Sequence, residues 1–146
     1  MAGEPLPGGV TVSGPGGSVR LADGELARLP AETLAVRFQT EHGTRQGRFS
    51  GPLLWAALER SGLLADDPPK SQERQVVAVR GADGYEVVLA LAELSPAFEA
   101  KQVILADEQD GQALGPAHWR LVVPGDRRGG RSVHDVTSLT LLSPLH

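Results

Sequence analysis

Apolar residues in this chain come in short runs cut off by Gly, Pro and Asp-Gly pairs, and nowhere do strand and helix alternate regularly enough for a doubly wound sheet. Residues 10–13 and 18–21 flank Gly14-Pro15-Gly16-Gly17 and read as a hairpin. Residues 33–40 place Leu34, Val36 and Phe38 on one face and Thr33, Ala35, Arg37 and Gln39 on the other, a strand with one wet side. Residues 41–47 then turn the chain into a second short strand around Phe49. Another hairpin joins 75–80 to 85–91 through Ala82-Asp83-Gly84, and 103–106, 120–123 and 138–142 add further strands, with a turn at Asp110-Gly111 between the first two.

Helical stretches are few and short. Asp23 is expected to cap one that carries Glu25, Leu26 and Leu29 and stops before Pro30. Pro52 opens a second, with Leu54, Trp55 and Leu58 at helical spacing before Gly62, and residues 91–94 make a third turn ended by Pro96. A polar linker covers 66–73. The expected architecture is α+β, a mixed sheet with short helices in one domain. Gly14, Gly16 and Gly17 make no dinucleotide fingerprint, because no strand-turn-helix unit with a later acidic residue follows them.

Residues 120–135 run an apolar strand, Leu121-Val122-Val123, directly into a glycine- and arginine-rich loop. Gly125, Gly129 and Gly130 permit positive φ and close backbone approach, while Arg127, Arg128 and Arg131 supply forked donors that match phosphate or carboxylate. The same residues also suit a solvated loop whose arginines only maintain solubility, and residue types alone leave both readings open.

Composition narrows the chemistry. The chain has no cysteine, which removes disulfides, thiolate metal ligands and thiol nucleophiles. Four histidines at 42, 118, 134 and 146 show no ligand spacing, so no protein-bound metal is expected. A net charge of -4 gives no basic footprint for nucleic acid. Neither a basic start nor an apolar run marks the amino end, so no membrane span is expected. The compartment reads as cytoplasmic as written, or periplasmic if a leader has been removed. Ser132, His134 and Asp135 have the residue types of a hydrolase triad but the wrong spacing for a relay.

Four segments in this order resemble the oxidoreductase molybdopterin-binding domain of the sulfite oxidase type, in its short stand-alone form. They are Phe49-Ser50-Gly51-Pro52-Leu53-Leu54-Trp55-Ala56-Ala57-Leu58, Gly81-Ala82-Asp83-Gly84-Tyr85, Asp110-Gly111-Gln112-Ala113-Leu114, and Leu121-Val122-Val123-Pro124-Gly125 followed by Arg131-Ser132-Val133. The resemblance implies a sulfite oxidase-like fold over 19–146, preceded by a Gly/Pro-rich segment at 1–18. It also implies a pterin or molybdopterin-like ligand whose phosphate tail lies near Arg131, Ser132 and Val133. Catalytic members place a cysteine thiolate on molybdenum just after the strand that corresponds to 33–40, and here Thr40 is the nearest equivalent. A threonine hydroxyl is harder and far less acidic than a thiolate, so the sulfite oxidase reaction is not expected.

The candidate ligand-binding residues are therefore Thr40, His42, Arg80, Asp83, Tyr85, Trp119, Arg127, Arg128, Arg131 and Ser132, with no catalytic residue assigned. Tyr85 and Trp119 offer stacking faces to a flat ring, with Arg80 or Arg120 as a neighbouring guanidinium, or else pack at a sheet edge. Asp83 is placed to bond the amino-pyrimidine edge, or serves only the hairpin tip. His42 beside Thr40 is a ligand contact or an exposed turn residue, and Trp55 reads as core. The expected function is pterin binding without redox catalysis of its own, with a further protein partner allowed. The alternatives are a molybdenum-cofactor oxidoreductase lacking the thiolate and a ligand-free interaction domain.

Overall fold

A computed structural model describes residues 8–64 and 73–143, apart from the Phe38 side chain. The linker read at 66–73 thus lies, but for Glu73, outside the described residues. Three sheets form. The first has five strands in the order β2-β1-β11-β5-β6, built from β1 (Gly9–Gly14), β2 (Gly17–Ala22), β5 (Val76–Gly81), β6 (Glu86–Ala90) and β11 (Val136–Leu142). Only the β1–β11 pairing in it is parallel. The second has four strands, β3 (Ala31–Thr40), β4 (Gly43–Pro52), β8 (Glu108–Gln109) and β9 (Gln112–Ala113), in that order. The third is the pair β7 (Ile104–Ala106) and β10 (Arg120–Val122).

The hairpins expected from alternation are present, and the mixed α+β architecture holds. Strand β1, from the Gly/Pro-rich segment, pairs inside the first sheet, and its Val10 and Val12 are fully buried. Three local readings need correction. Strand β4 begins at Gly43 rather than near Phe49, because residues 43–48 pair with β3 throughout while lacking apolar alternation. Pro52 ends β4, and the helix α2 (Leu54–Ser61) starts two residues later and closes on Gly62 in the left-handed region (φ 73°). Asp23 is the first residue of α1 (Asp23–Ala27) rather than its cap: the N–H of Ala22 meets the Glu25 carboxylate at 3.2 Å. The Asp23 carboxylate instead accepts from Trp119 Nε1 (2.6 Å) and from the Ala117 N–H (2.9 Å), joining α1 to the segment that enters β10.

Strands β7 and β10 are buried on both faces from Ile104 to Ala106 and from Leu121 onward, as the apolar runs there require. Successive side chains point oppositely, so Leu105, Leu121 and Val123 enter the larger core, with Leu54 and Leu58 of α2, Leu91 of α3 (Leu91–Leu94) and Val77, Leu89 and Leu139 of the five-stranded sheet. Ile104, Ala106 and Val122 enter a smaller core with Phe49, Leu34, Val36 and Leu53. The β7–β10 pair is thus one wall shared by two cores. Gly51 of β4 lies flat against that wall, where a Cβ would collide with the Leu105 carbonyl oxygen and come within 2.8 Å of the Ala106 Cα. Backbone on both sides cannot yield as a side chain would. Gly51→Ala is expected to lower unfolding free energy by about 2–3 kcal/mol in urea denaturation; a loss below about 0.5 kcal/mol would show that β4 can move away from the wall freely.

Candidate functional site

The chain leaves the β7–β10 wall at Val123 and returns to the core at Val133, whose carbonyl accepts the Leu121 N–H at 2.9 Å. Between these anchors Pro124 and Gly125 (φ 88°) turn it outward, and residues Gly129–Arg131 form one turn of 3-10 helix. This excursion faces the end of the β3–β4 hairpin across a cleft of about 700 Å³. Gln39, Thr40, His42 and Arg45 line it from the hairpin, Phe49 and Arg120 from its floor, and Arg128, Gly129, Gly130, Ser132 and His134 from the loop.

Arg120 organises the floor. It opens β10 in phase with Val122, so its side chain is directed toward the smaller core, and its Cζ lies 5.0 Å from the centroid of the Phe49 ring. Ser132 Oγ accepts from its Nε at 2.9 Å. Burial lowers its pKa from the ordinary guanidinium value, yet it stays charged at any working pH. Among the described residues no carboxylate forms an ion pair with it. A half-buried charge, oriented by a hydroxyl and a ring but without a counter-ion, presents its remaining N–H groups to whatever enters the cleft.

The other arginines divide sharply. Arg128 lines the cleft, as does Arg45 from the hairpin. Arg131 faces away: its Nε and Nη2 fork onto Asp126 at 2.9 and 2.8 Å, and its Nη1 reaches Glu93 at 3.5 Å. The hydrogen bond to Asp126 is the main cause of its raised pKa. Arg127 is exposed outside the cleft lining, and its carbonyl accepts the Gln39 N–H at 2.6 Å. Of the three loop arginines expected to meet an anion, the cleft therefore includes one.

The remaining candidates separate in the same way. Thr40 and His42 both line the cleft, but the Thr40 hydroxyl closes the hairpin turn, donating to the Gly43 carbonyl at 3.0 Å and accepting the His42 N–H at 3.2 Å. Ser132 lines it while holding Arg120. Trp119 leaves the candidate set as a stacking face: it is 3% exposed and its indole N–H is held by Asp23, so its ring belongs to the larger core. Arg80, Asp83 and Tyr85 lie outside the cleft lining. Asp83 Oδ1 accepts the Tyr85 N–H at 3.0 Å, and the Tyr85 hydroxyl donates to the Gly130 carbonyl. Trp55, read as core, is partly buried against the larger cluster.

Arg45 is a cleft residue that sequence reasoning did not single out; Phe49 entered it only as a strand residue, His134 only in a rejected triad, and Arg120 only as a neighbour of a stacking ring. The available signal for Arg120 was its phase, a charge two residues before Val122 on a strand buried on both faces. Burial, and then the Arg120 charge, push the His134 imidazole below its ordinary value, with Asp135 and Asp83 pulling the other way. A smaller side cleft of about 290 Å³ shares Gln109, Arg120 and His134 with the main one and carries the His118–Asp135 pair at 2.7 Å. Among the described residues no group of three His, Cys, Asp or Glu side chains is arranged to hold a metal ion. The main cleft thus gathers three arginines against one glutamate, Glu41, in a chain of net charge -4. Its charged lining is predominantly basic, over an aromatic floor.

No curated protein matches the chain in sequence. Among solved structures, the sulfane dehydrogenase SoxCD from Paracoccus pantotrophus has a similar fold, with a TM-score of 0.73 over 93% of this chain at 19% identity. The chain spans 38% of the length of that protein chain. The family model for the oxidoreductase molybdopterin binding domain matches residues 20–144. A match over that length, on a sulfite oxidase-like fold of mixed sheets with few short helices, establishes that the chain belongs to the oxidoreductase molybdopterin-binding domain family.

Proposed function

We propose that the cleft beside Arg120 holds a pterin of the molybdopterin class through its anionic group, and that the chain acts as a binding module without redox catalysis of its own. The observation that carries this reading is the half-buried Arg120 guanidinium, which meets no carboxylate among the described residues. A charge kept from water without a counter-ion costs stability, and an anionic ligand supplies the missing partner. Arg128 and Arg45 add donors at the rim, and the cleft volume of about 700 Å³ suits a ligand of this size. The family membership supplies the ligand class.

The donor set fits the organic anion and does not fit a thiolate bond to metal. In the family's oxidoreductases such a pterin carries, through its dithiolene, a metal that also takes a cysteine thiolate. None of the 146 residues of this chain is cysteine. Thr40, the nearest equivalent by resemblance, has its hydroxyl engaged on both sides within the hairpin turn. The residues' work in this reading is to bind and orient: Arg120 and Arg128 hold the negative charge, Phe49 and Ser132 fix Arg120, and the hairpin end forms the opposite wall.

Two substitutions separate ligand binding from loop structure. Arg120→Gln is expected to weaken a phosphorylated pterin by about 30- to 150-fold, the loss of charge-assisted bonds worth about 2–3 kcal/mol, as read by fluorescence titration. An unchanged dissociation constant would remove Arg120 from the site and with it the basis of the proposal. Arg131→Ala is expected to act on stability instead, lowering it by about 1–3 kcal/mol because Asp126 loses its forked partner and Glu93, which keeps Lys101, loses a second cation. Stability within about 0.5 kcal/mol of wild type in urea denaturation would contradict that assignment.

A further inference from the structure

Gly129 and Gly130 wall the cleft, yet a pair of glycines has more backbone freedom than any other dipeptide and holds no shape unaided. Bonds fix this segment from several sides. The Gln39 N–H holds the Arg127 carbonyl at 2.6 Å, the Ser132 N–H holds the Gly129 carbonyl at 3.0 Å, and the Arg131 fork holds Asp126. The Tyr85 hydroxyl holds the Gly130 carbonyl from the β5–β6 hairpin, 45 residues away in sequence.

Burial does not account for Tyr85, which is 50% exposed and belongs to neither core cluster. Its hairpin tip is nevertheless firmly shaped. Asp83 Oδ1 accepts the Tyr85 N–H at 3.0 Å, Gly84 takes a left-handed φ of 89°, and the Ala82 N–H donates to the Asp135 carbonyl at 2.9 Å, tying the tip to the far end of the same loop. A large, half-exposed ring is thus held with its hydroxyl on one glycine carbonyl.

The direction of these bonds matters for an anion. The carbonyls of Arg127, Gly129 and Gly130 are all engaged within the protein. In a planar trans peptide the following N–H points opposite to the carbonyl, so fixing the Gly130 carbonyl also fixes the N–H of Arg131 on the other side. A free carbonyl oxygen turned toward the ligand would repel negative charge, whereas an anchored one is kept from it.

We propose that Tyr85 is a positioning residue for the cleft: through the Gly130 carbonyl it sets the glycine wall in the orientation that accepts the ligand's anionic end. This deepens the reading of the cleft as a site for an anionic pterin and rests on it. The role differs from the stacking face that sequence suggested, because the ring lies outside the cleft lining.

Tyr85→Phe removes the hydroxyl and keeps the ring. The probes are 6-hydroxymethylpterin and its phosphate ester, titrated against wild type and variant, with amide hydrogen exchange measured on residues 129–132 in the ligand-free proteins. Faster exchange at those amides is expected in the variant, together with a loss of about five- to tenfold in affinity for the phosphate ester and none for the unesterified pterin. A purely structural bond would leave the ratio of the two affinities unchanged, and that result would overturn the proposal, as would unaltered exchange in the loop. Failure of wild type to bind either probe would instead strike the underlying ligand reading, and the positioning role for an anion would fall with it.

Discussion

Strands β7 and β10 are buried on both faces, and the arrangement around the cleft follows from that one constraint. A strand with core on each side has no wet face for a charge, so Arg120 is accommodated only at the end where the wall opens, two residues before Val122. Phe49, itself part of the smaller core, supplies the surface on which the guanidinium lies, and Ser132 supplies the acceptor that fixes its plane. Gly51 lets β4 approach closely enough to bring Phe49 there. The larger core holds the same wall from behind through Leu105, Leu121 and Val123, so the position of the charge is set by packing on both sides.

The arginines near this wall have two physical roles that residue type does not distinguish. Arg131 lies in a local ion-pair network with Asp126 and Glu93, itself bonded to Lys101, and this joins the loop to α3. Such a paired charge holds structure and adds little field outside. Arg120, Arg128 and Arg45 lie around a concave surface where Glu41 is the acidic neighbour. In a chain of net charge -4 such a groove is a local concentration of positive charge on an acidic molecule.

Much of the fold was legible because its hairpins are signalled locally. Alternation at 33–40 and the Asp83-Gly84 turn identify strand and reversal without reference to the rest of the chain. Strand β4 was shortened in the reading because residues 43–48 are almost all exposed and carry no apolar rhythm; their pairing with β3 is decided by the partner strand. Asp23 looked like a helix cap because that is its commonest local use, whereas its bonds to Trp119 and Ala117 lie more than ninety residues ahead in sequence. The same long-range contact buries Trp119. In the site, the strand-to-loop junction was visible, but the division of arginines between Asp126 and the cleft depends on how the loop turns after Gly125, which residue types do not encode.

On the proposed reading this family member binds a pterin through an arginine-floored cleft while offering no thiolate to a metal. The most direct measurement takes the purified protein, denatures it, and determines in one sample the released pterin, by fluorescence and mass spectrometry, and the molybdenum content. A pterin in near-stoichiometric amount, with molybdenum far below it, is the expected result. Molybdenum equal to the pterin, with electron transfer to an acceptor dye, would contradict the claim and make the chain an oxidoreductase; a blank sample that also fails to take up added pterins would contradict it from the other side, leaving an interaction domain.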